Sequence, residues 1–439
     1  MAPTLRRCAG RCPPRGLIRL GAARRRMVAP TLRAFFMPKL TTELIHHPYK
    51  PPAGFEAPQP GVYKASTVFF PSVAALRSRE WKDKTGYTYG LHGTPTTYAL
   101  EERLCTLEGG QQCLLVPSGL AALANVALSL LKTGDEVLLP DNVYGPNKAL
   151  AESELAQWGI AHRVYDPMSP TDLESRISSR TRLVWVEAAG SVTLEFPDLV
   201  ALVRLCKAKR VIVALDNTWG AGLAFKPFDL VPGEQTPLAV DISVHALTKY
   251  PSGGGDVLMG SVVTCDPALH LRMKLTHMRL GLGVGANDVE AVLRSLPSMA
   301  LRYRAHDAAA RTLAQWCQSQ PECVQVLHPA LPDSPGHAHW AAVCENGPGG
   351  AAGLFSVLLD PRFTQNQTDA FCNALRLFRL GFSWGGPISL VVPYELTTMR
   401  TAWPAHLAKG TLVRFSVGLE AVEDLQADLA QALAVLRAT

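Results

Sequence analysis

The chain has 439 residues, 47% of them hydrophobic and 18% charged, which is a globular composition long enough for two or more domains. The formal net charge of +6 is concentrated in residues 1–36, which contain nine arginines and no acid. The rest of the chain contains 34 of the 43 basic side chains and all 37 acidic ones, so it is slightly acidic. Its charge therefore gives no support for nucleic-acid binding. No uninterrupted run of 18 apolar residues occurs, which argues against a membrane-spanning helix.

The chain begins with an arginine-rich segment. Residues 1–37 are predicted to be a disordered basic arm. They lack acids, as transit peptides do, but they also lack the serines that transit peptides usually carry. The alternative is a start annotated too far upstream, with Met27 or Met37 as the true first residue. Residues 38–95 show few periodic signals and many prolines, so we expect an extended N-terminal arm that contacts a neighbouring subunit.

Residues 96–290 alternate between strand-like and helix-like patterns. This alternation predicts an α/β fold with a large, mostly parallel sheet covered by helices on both faces. The strand-like runs read QCLLVP, DEVLLP, HRVYD, TRLVWVEA, VIVALDN and DVLMGSVVTC.

The pattern changes after residue 290. We expect a smaller α/β C-terminal domain over 291–439, with a helix over 368–378, a strand in TLVRFSVGLE and a final amphipathic helix. The ten cysteines have no zinc-ligand spacing, so no metal site is predicted. They are interpreted as free thiols, several of them buried, in a reducing cytoplasm.

One lysine lies in an unusual stretch, HALTKYPSGGGD, at residues 245–256. Apolar Val240, Ile242 and Val244 alternate with polar neighbours, which predicts a strand that ends near Lys249. Pro251 and the glycines that follow exclude a helix directly after it. Ligands of open α/β sheets bind at strand ends. Taken alone, Lys249 is still most simply a surface lysine in a turn.

Three further features follow predicted strands. The turn at Ser118-Gly119 opens a helix, whose free N–H groups bind anions. Asp216 ends a fully apolar strand, and a buried carboxylate needs a partner. Tyr144 follows another strand end. Each feature alone has an ordinary structural explanation. Together, a helix N-terminus that can bind phosphate, an acid, an aromatic ring and a lysine indicate a pyridoxal 5′-phosphate site.

Several motifs in order along the chain extend this interpretation. From about residue 60 onward the sequence resembles the Cys/Met-metabolism family of pyridoxal-phosphate enzymes. The resemblance implies the fold type I, transferase-like architecture, in which residues 96–290 form the cofactor-binding domain. The motifs that carry it are YTYGLHGTPTTYALE, LEGG, PSGLAA, DNTW, DISVHALTKY and GTLVRFSVGLE.

The resemblance implies a role for each cofactor-binding residue. Lys249 would link covalently to the cofactor aldehyde and Asp216 would pair with the ring nitrogen. Tyr144 would stack on the ring and could carry a second proton. Tyr89 would reach the cofactor phosphate of a neighbouring subunit, so a homo-oligomer, with a dimer of dimers as its expected form, is implied. The phosphate would otherwise be held by the backbone N–H groups of Gly119 and Leu120 and by the hydroxyl of Thr248.

The substrate-binding residues are implied in the same way. Ser383 and Arg414 would hold the carboxylate of a small sulfur-containing amino acid. Arg414 lies within a strand-like run, where bidentate carboxylate recognition would explain a charged residue. Pairing with Glu420 is the structural alternative. Trp384 follows Ser383, and a tryptophan here is typical of the β-lyases of the family, whereas γ-lyases and γ-synthases carry a smaller aliphatic residue.

Three positions depart from the family pattern. Many members carry Tyr-x-Arg in the arm, whereas this chain has Tyr89-Gly90-Leu91 followed by His92, so one phosphate-binding cation is missing. A serine often found three residues before the lysine is Ala246. A short insertion around VPGEQTP separates Asp216 from Lys249 and is predicted to be a surface loop. We therefore expect activity with weaker cofactor retention.

The implied activity is the pyridoxal-phosphate-dependent α,β-elimination of L-cystathionine to homocysteine, pyruvate and ammonia, a step of methionine biosynthesis. γ-Elimination or γ-synthesis on the same fold is the alternative. A non-catalytic relative would have lost Lys249, Asp216 or Arg414, and all three are present. The expected location is the cytoplasm, with neither nucleic acid nor membrane as a partner.

Overall fold

The computed structural model describes residues 39–49, 51–55, 57–345 and 350–438. The predicted basic arm, residues 1–37, lies outside the described residues. The chain from Lys39 onward forms one compact unit.

The predicted N-terminal arm has little regular structure in its described part. It holds two short helices, α1 (Leu40–Ile45) and α2 (Val73–Arg77), and a 3₁₀ turn at Gly90–His92. A single bridge pairs Thr67 with Tyr89. Low periodicity and frequent prolines account for this irregular course. Whether the arm contacts a neighbouring subunit remains a prediction.

A seven-stranded sheet forms the larger layer, and it confirms the predicted α/β class. The strand order is β1-β7-β6-β5-β4-β2-β3. β7 runs antiparallel to both of its neighbours, and the other pairs are parallel, so the sheet is mostly parallel. The strands are β1 (Gln112–Val116), β2 (Glu136–Pro140), β3 (Ala161–Tyr165), β4 (Thr181–Glu187), β5 (Ile212–Asp216), β6 (Ile242–Ala246) and β7 (Gly260–Thr264).

Helices cover this sheet on both faces. Along β5, Val213 and Leu215 pack into one apolar core while Ala214 packs into the other. Alternate residues of a strand point to opposite faces, so an apolar run such as VIVAL is explained by burial on both sides. The helices are α3 (Pro95–Glu108), α4 (Gly119–Leu130), α5 (Gly145–Leu150, continued by a π-helical turn at Ala151–Leu155), α6 (Pro170–Arg176), α7 (Leu199–Lys209) and α8 (Pro267–Leu280).

The long helix α9 (Ala286–Gln318) contributes to two cores. Its first half, with Val289 and Leu296, packs with the large sheet, and its second half, with Leu313 and Cys317, packs with the smaller one. The predicted boundary between residues 290 and 291 falls within this helix. The domain limits therefore remain a prediction.

A second sheet of five strands forms the smaller C-terminal layer, in the order β10-β11-β12-β9-β8. The predicted helix over 368–378 is wrong at both ends. It begins at Gln365 because Thr364 and Gln367 form a capping box, and it stops at Ala374. The strands are β8 (Cys323–Leu327), β9 (Leu354–Leu359), β10 (Arg379–Leu380), β11 (Leu390–Tyr394) and β12 (Leu412–Ser416); the helices are α10 (His337–Trp340), α11 (Gln365–Ala374), α12 (Leu396–Met399) and α13 (Val422–Ala438).

Residues 232–237, which contain most of the predicted insertion loop, are exposed, as expected for a surface loop.

In the described part of the chain, no helix combines the length and apolarity needed to cross a membrane.

Candidate active site

The carboxyl ends of the parallel strands meet at one edge of the large sheet, and a cavity of about 290 Å³ opens there. Nine of the ten predicted site residues line it, which is the clustering expected at this edge. These nine are Gly119, Leu120, Tyr144, Asp216, Thr248, Lys249, Ser383, Trp384 and Arg414.

Lys249 lies in the turn after β6, where its backbone N–H donates to Ala246 O at 3.1 Å. Its Nζ donates to Ser383 Oγ at 3.0 Å and lies 4.5 Å from the centre of the Trp384 ring. Burial, together with the nearby charge of Arg414, lowers the pKa of the amine to about 8 against the opposing effect of Asp216. A substantial fraction of Lys249 is therefore neutral, and hence nucleophilic and basic, near physiological pH.

Asp216 ends β5 with its carboxylate directed at the cavity. Its Oδ1 accepts hydrogen bonds from the N–H of Thr218 at 3.0 Å and from the Thr218 hydroxyl at 2.6 Å. These bonds supply the partner that a carboxylate in this position requires. Burial raises the pKa of Asp216, and the bonds from Thr218 oppose that rise.

Glu187 is a cavity residue that the sequence analysis missed. It ends β4 in register with Asp216, and its Oε2 accepts the N–H of Tyr144 at 2.8 Å. Burial, reinforced by the charge of Asp216, raises the pKa of Glu187 well above its ordinary value. Burial raises the pKa of both acids, and the bonds from Thr218 oppose the rise only at Asp216. A signal was available, because Glu187 ends an apolar strand just as Asp216 does.

The N-terminus of α4 forms another wall. Ser118 caps the helix, accepting the N–H of Ala121 on its hydroxyl at 3.0 Å. The first N–H groups of a helix have no partner within it, so those of Gly119 and Leu120 are available to a ligand. A β-carbon at Gly119 would lie 2.7 Å from the Cβ of Ala246, so the close approach of this helix end to β6 requires glycine.

Thr248 lies beside the same helix end. Its hydroxyl accepts the N–H of Met259 at 3.2 Å and lies 3.3 Å from Met259 O. The structure therefore places Thr248 at the cavity wall with its hydroxyl bonded to the protein backbone.

Arg414 projects from the middle of β12 and is only 6% exposed. Its guanidinium carbon lies 5.5 Å from the Trp384 ring centre and 5.3 Å from that of Tyr394. Within the described segments it has no ion-pair partner. Glu420, the alternative partner, instead accepts the N–H and hydroxyl of Ser389 at 2.7 and 2.8 Å. A buried, unpaired guanidinium at a cavity wall predicts an anionic ligand.

The loop that carries Ser383 and Trp384 packs directly on the lysine turn. Gly385 has φ of +76°, and a β-carbon there would lie 2.8 Å from Tyr250 N and 3.0 Å from the Lys249 carbonyl carbon. Only glycine permits both the conformation and the contact. Phe382 precedes this loop at the cavity mouth, 79% exposed, and the sequence analysis did not identify it.

Tyr89 is the one predicted site residue outside this cavity. It lines a separate cavity of about 700 Å³ together with His92. His92 Nδ1 lies 2.8 Å from Thr88 Oγ, and its ring stacks on Trp81 with 4.7 Å between centres. Burial and then the charge of Lys274 lower the pKa of His92, so it is not a fixed cation equivalent to the missing arginine. A neighbouring-subunit role for Tyr89 stays a prediction.

Among the described residues, no group of three or more His, Cys, Asp and Glu side chains is arranged to hold a metal ion.

Comparison with known proteins gives consistent matches. The chain is 38% identical over 392 residues to the cystathionine β-lyase of Bordetella avium, covering 88% of this chain and 94% of that protein. It is 38% identical over 382 residues to a putative cystathionine β-lyase of Rhizobium johnstonii, covering 86% and 92%. Among solved structures, cystathionine γ-lyase from Lactobacillus plantarum, complexed with L-serine, matches with a TM-score of 0.79 at 26% identity, covering 91% of this chain and all of that one.

The family model for Cys/Met metabolism PLP-dependent enzymes matches residues 41–434, nearly the whole described chain. With this match and the two relatives above 30% identity, the chain belongs to the Cys/Met-metabolism family of pyridoxal-phosphate-dependent enzymes.

Proposed function

We propose that this enzyme catalyses the α,β-elimination of L-cystathionine to homocysteine, pyruvate and ammonia. The observation that carries the proposal is the placement of Lys249 and Arg414 against the same Trp384 ring, 4.5 and 5.5 Å from its centre. A base and a carboxylate anchor therefore contact the same side chain in one cavity, an arrangement that suits removal of the Cα proton of an α-amino acid. The β-lyase relatives from Bordetella avium and Rhizobium johnstonii support the choice of substrate.

The cavity residues fit pyridoxal phosphate. The α4 N-terminus, where a β-carbon on Gly119 would meet Ala246, offers N–H groups to the phosphate. Asp216 would hold the ring nitrogen in its protonated form, and Tyr144 would face the ring. Lys249 would hold the aldehyde carbon. When bound, the cofactor supplies an electron sink that acidifies the Cα proton of the substrate.

The protein side chains then perform the remaining steps. Arg414 and Ser383 bind the substrate carboxylate and so orient the Cα–H bond. Lys249 would act as the general base, removing the Cα proton through its neutral Nζ. The Cβ–S bond breaks, and homocysteine leaves with a proton that Lys249 or Tyr144 can donate. One water molecule completes the conversion of the three-carbon remainder to pyruvate and ammonia.

γ-Elimination is the alternative, because a γ-lyase from Lactobacillus plantarum has the same fold. The two reactions differ in their keto acid, pyruvate for β-elimination and 2-oxobutyrate for γ-elimination. The deciding assay incubates the purified protein with pyridoxal phosphate and L-cystathionine and separates the two acids by chromatography. Pyruvate with homocysteine supports the proposal, whereas 2-oxobutyrate with cysteine would assign γ-chemistry.

The lowered pKa of Lys249 gives a testable pH dependence. Only the neutral amine can attack the cofactor aldehyde, so the rate of covalent attachment to the cofactor-free protein should rise with pH through about 8. An ordinary lysine has a pKa of about 10.4, so the rate would then rise at a pH more than two units higher. Stopped-flow absorbance between pH 6 and pH 10 measures the profile. A midpoint near pH 10 would contradict the lowered pKa.

We also propose a homo-oligomer, a dimer of dimers in its full form, in which Tyr89 serves the neighbouring cavity. Tyr89 lies outside the Lys249 cavity, and nearby Phe69 is 93% exposed, which suits a covering partner. Tyr89→Phe mixed with Lys249→Ala under subunit exchange should regain activity, since a mixed dimer has one site with both native residues. No recovery despite demonstrated exchange would confine Tyr89 to its own subunit.

A cytoplasmic location completes the proposal. The eight cysteines within the described part of the chain are all free thiols, which suits a reducing compartment. Fractionation of cells that express the full chain would test it, and recovery in a membrane or organellar fraction would argue against it.

A further inference from the structure

A buried ion-pair network centred on Arg400 lies next to two loops that line the cavity. Arg400, which follows α12, donates through Nε to Asp141 Oδ2 at 2.8 Å and through Nη1 to Glu195 Oε2 at 3.0 Å. Arg400 is 9% exposed and Glu195 is fully buried. One guanidinium thus joins two acids from separate loops of the large sheet, and those loops continue into the cavity wall.

Further bonds fix both carboxylates. Thr401 donates its N–H and its hydroxyl to Asp141 Oδ1 at 3.0 and 2.8 Å. Glu195 accepts the Thr193 hydroxyl at 2.7 Å, and His406 Nε2 lies 2.6 Å from its other oxygen. Although burial favours the neutral acid, the bond from His406 and the charge of Arg400 lower the pKa of Glu195 to about 2.

The network reaches the cavity through Asn142. Its side chain donates to Glu195 Oε2 at 2.6 Å, and its carbonyl accepts the N–H of Ser191, a cavity residue, at 3.0 Å. A β-carbon on Gly190 would lie 1.9 Å from Asn142 Nδ2, so the two loops touch. Tyr144 follows two residues later.

The short segment 141–144 is therefore held at both ends. Arg400 and Thr401 bind Asp141 at the start, and Glu187 accepts the N–H of Tyr144 at the end. Lys148, one turn further along α5, donates to Met399 O at 3.1 Å, which ties the same region to the residue before Arg400. Tyr144 itself makes no side-chain hydrogen bond within the described structure, so its placement depends on this backbone.

We propose that Arg400 is a positioning residue which, by holding Asp141 and Glu195, sets the backbone of segment 141–144 and so places the Tyr144 ring against the cofactor. The inference rests on the proposed placement of the cofactor beside Tyr144. Arg400 acts through Asp141, Glu195 and Asn142, and it does not line the cavity. A purely structural clamp would stabilise the fold without affecting how Tyr144 meets the cofactor.

The test measures the dissociation constant of pyridoxal phosphate for the cofactor-free protein, with no substrate present. Arg400→Lys keeps the charge but cannot span both acids. It should weaken cofactor binding roughly two- to tenfold, because one well-placed aromatic contact contributes about that much to affinity. In a Tyr144→Ala background the same change should have no further effect, because the contact that Arg400 positions is already gone.

Two variants keep the result interpretable. Arg437→Lys is the control for the loss of a guanidinium pair outside the cavity, because Arg437 binds a single acid, Glu322, through two nitrogens at 2.6 and 3.0 Å. It should leave cofactor binding unchanged. If Arg400→Lys does not fold, Asp141→Asn weakens the same link with nearly the same shape.

Equal weakening in the native and Tyr144→Ala backgrounds would overturn the proposal, as would unchanged binding in Arg400→Lys. Because the measurement uses pyridoxal phosphate alone, it does not depend on which sulfur amino acid the enzyme cleaves. A failure of the cystathionine assay and a failure of this inference are therefore distinguishable.

Discussion

Lys249→Ala is expected to reduce turnover of L-cystathionine by about 10⁴-fold, the upper end of what one general base contributes. The variant loses both the covalent link to the cofactor and the amine that removes the Cα proton. The position of this amine in the cavity, its 3.0 Å contact with Ser383 Oγ and its lowered pKa of about 8 support its assignment as the reactive group. Steady-state pyruvate production and the absorbance of the protein-bound cofactor measure the two losses separately.

The chain provides a matched control for this prediction. Lys226 is another buried lysine, and burial lowers its pKa to about 8 despite the opposing charge of Glu108. Its Nζ donates to Leu107 O, away from the cavity. Lys226→Ala should destabilise the fold while the folded fraction keeps normal turnover. Normal turnover by Lys249→Ala would remove Lys249 from the mechanism.

Arg414→Lys is expected to lower kcat/KM by roughly ten- to a hundredfold, although the charge is retained. The planar guanidinium can hold a carboxylate through two parallel hydrogen bonds, whereas an ammonium presents a point charge. One charge-assisted bond contributes about 1.5–3 kcal/mol, which sets the magnitude. Cofactor absorbance should stay near that of the native protein, because the guanidinium lies against Trp384 and Tyr394 and is assigned to the substrate.

Thermal melting provides the second measurement for Arg414. Since Glu420 is bonded to Ser389, a lysine at position 414 breaks no ion pair within the described residues, and the melting temperature should change little. Arg437→Lys again serves as the control, with a bidentate pair outside the cavity. A large loss of stability with unchanged kinetics for the folded fraction would assign Arg414 a structural role.

Local sequence patterns predicted most of the large sheet and most of the cavity. Apolar runs with strand periodicity identified β1 to β6, and their alternation with helices implied parallel pairing, which brings carboxyl ends to one edge. That reasoning placed Lys249, Asp216 and Tyr144 together. It overlooked Glu187, whose position after an apolar strand matches that of Asp216.

Other parts of the site depended on contacts that local patterns do not encode. Strand β7 lies antiparallel between β1 and β6 because a turn without a helix connects it to β6. The apolar run DVLMGSVVTC predicts a strand but does not indicate the direction of that strand. Because Glu420 binds Ser389, Arg414 has no ion-pair partner in the described part of the chain, and this pairing depends on how β11 and β12 align. Likewise, the hydrogen bond of His92 to Thr88 and its stacking on Trp81 arise from packing in the folded chain.

By itself the sequence determined the α/β class, because strand period and turn residues are local properties. The order of its motifs along the chain carried the resemblance that implied the cofactor family and the candidate site residues. Only the tertiary structure decided which charges are paired. Arg400 reaches Asp141 across 259 residues and Glu195 across 205, and no local pattern links positions so distant. Pairing of buried charges depends on which side chains the fold brings within hydrogen-bonding distance after the apolar faces have packed.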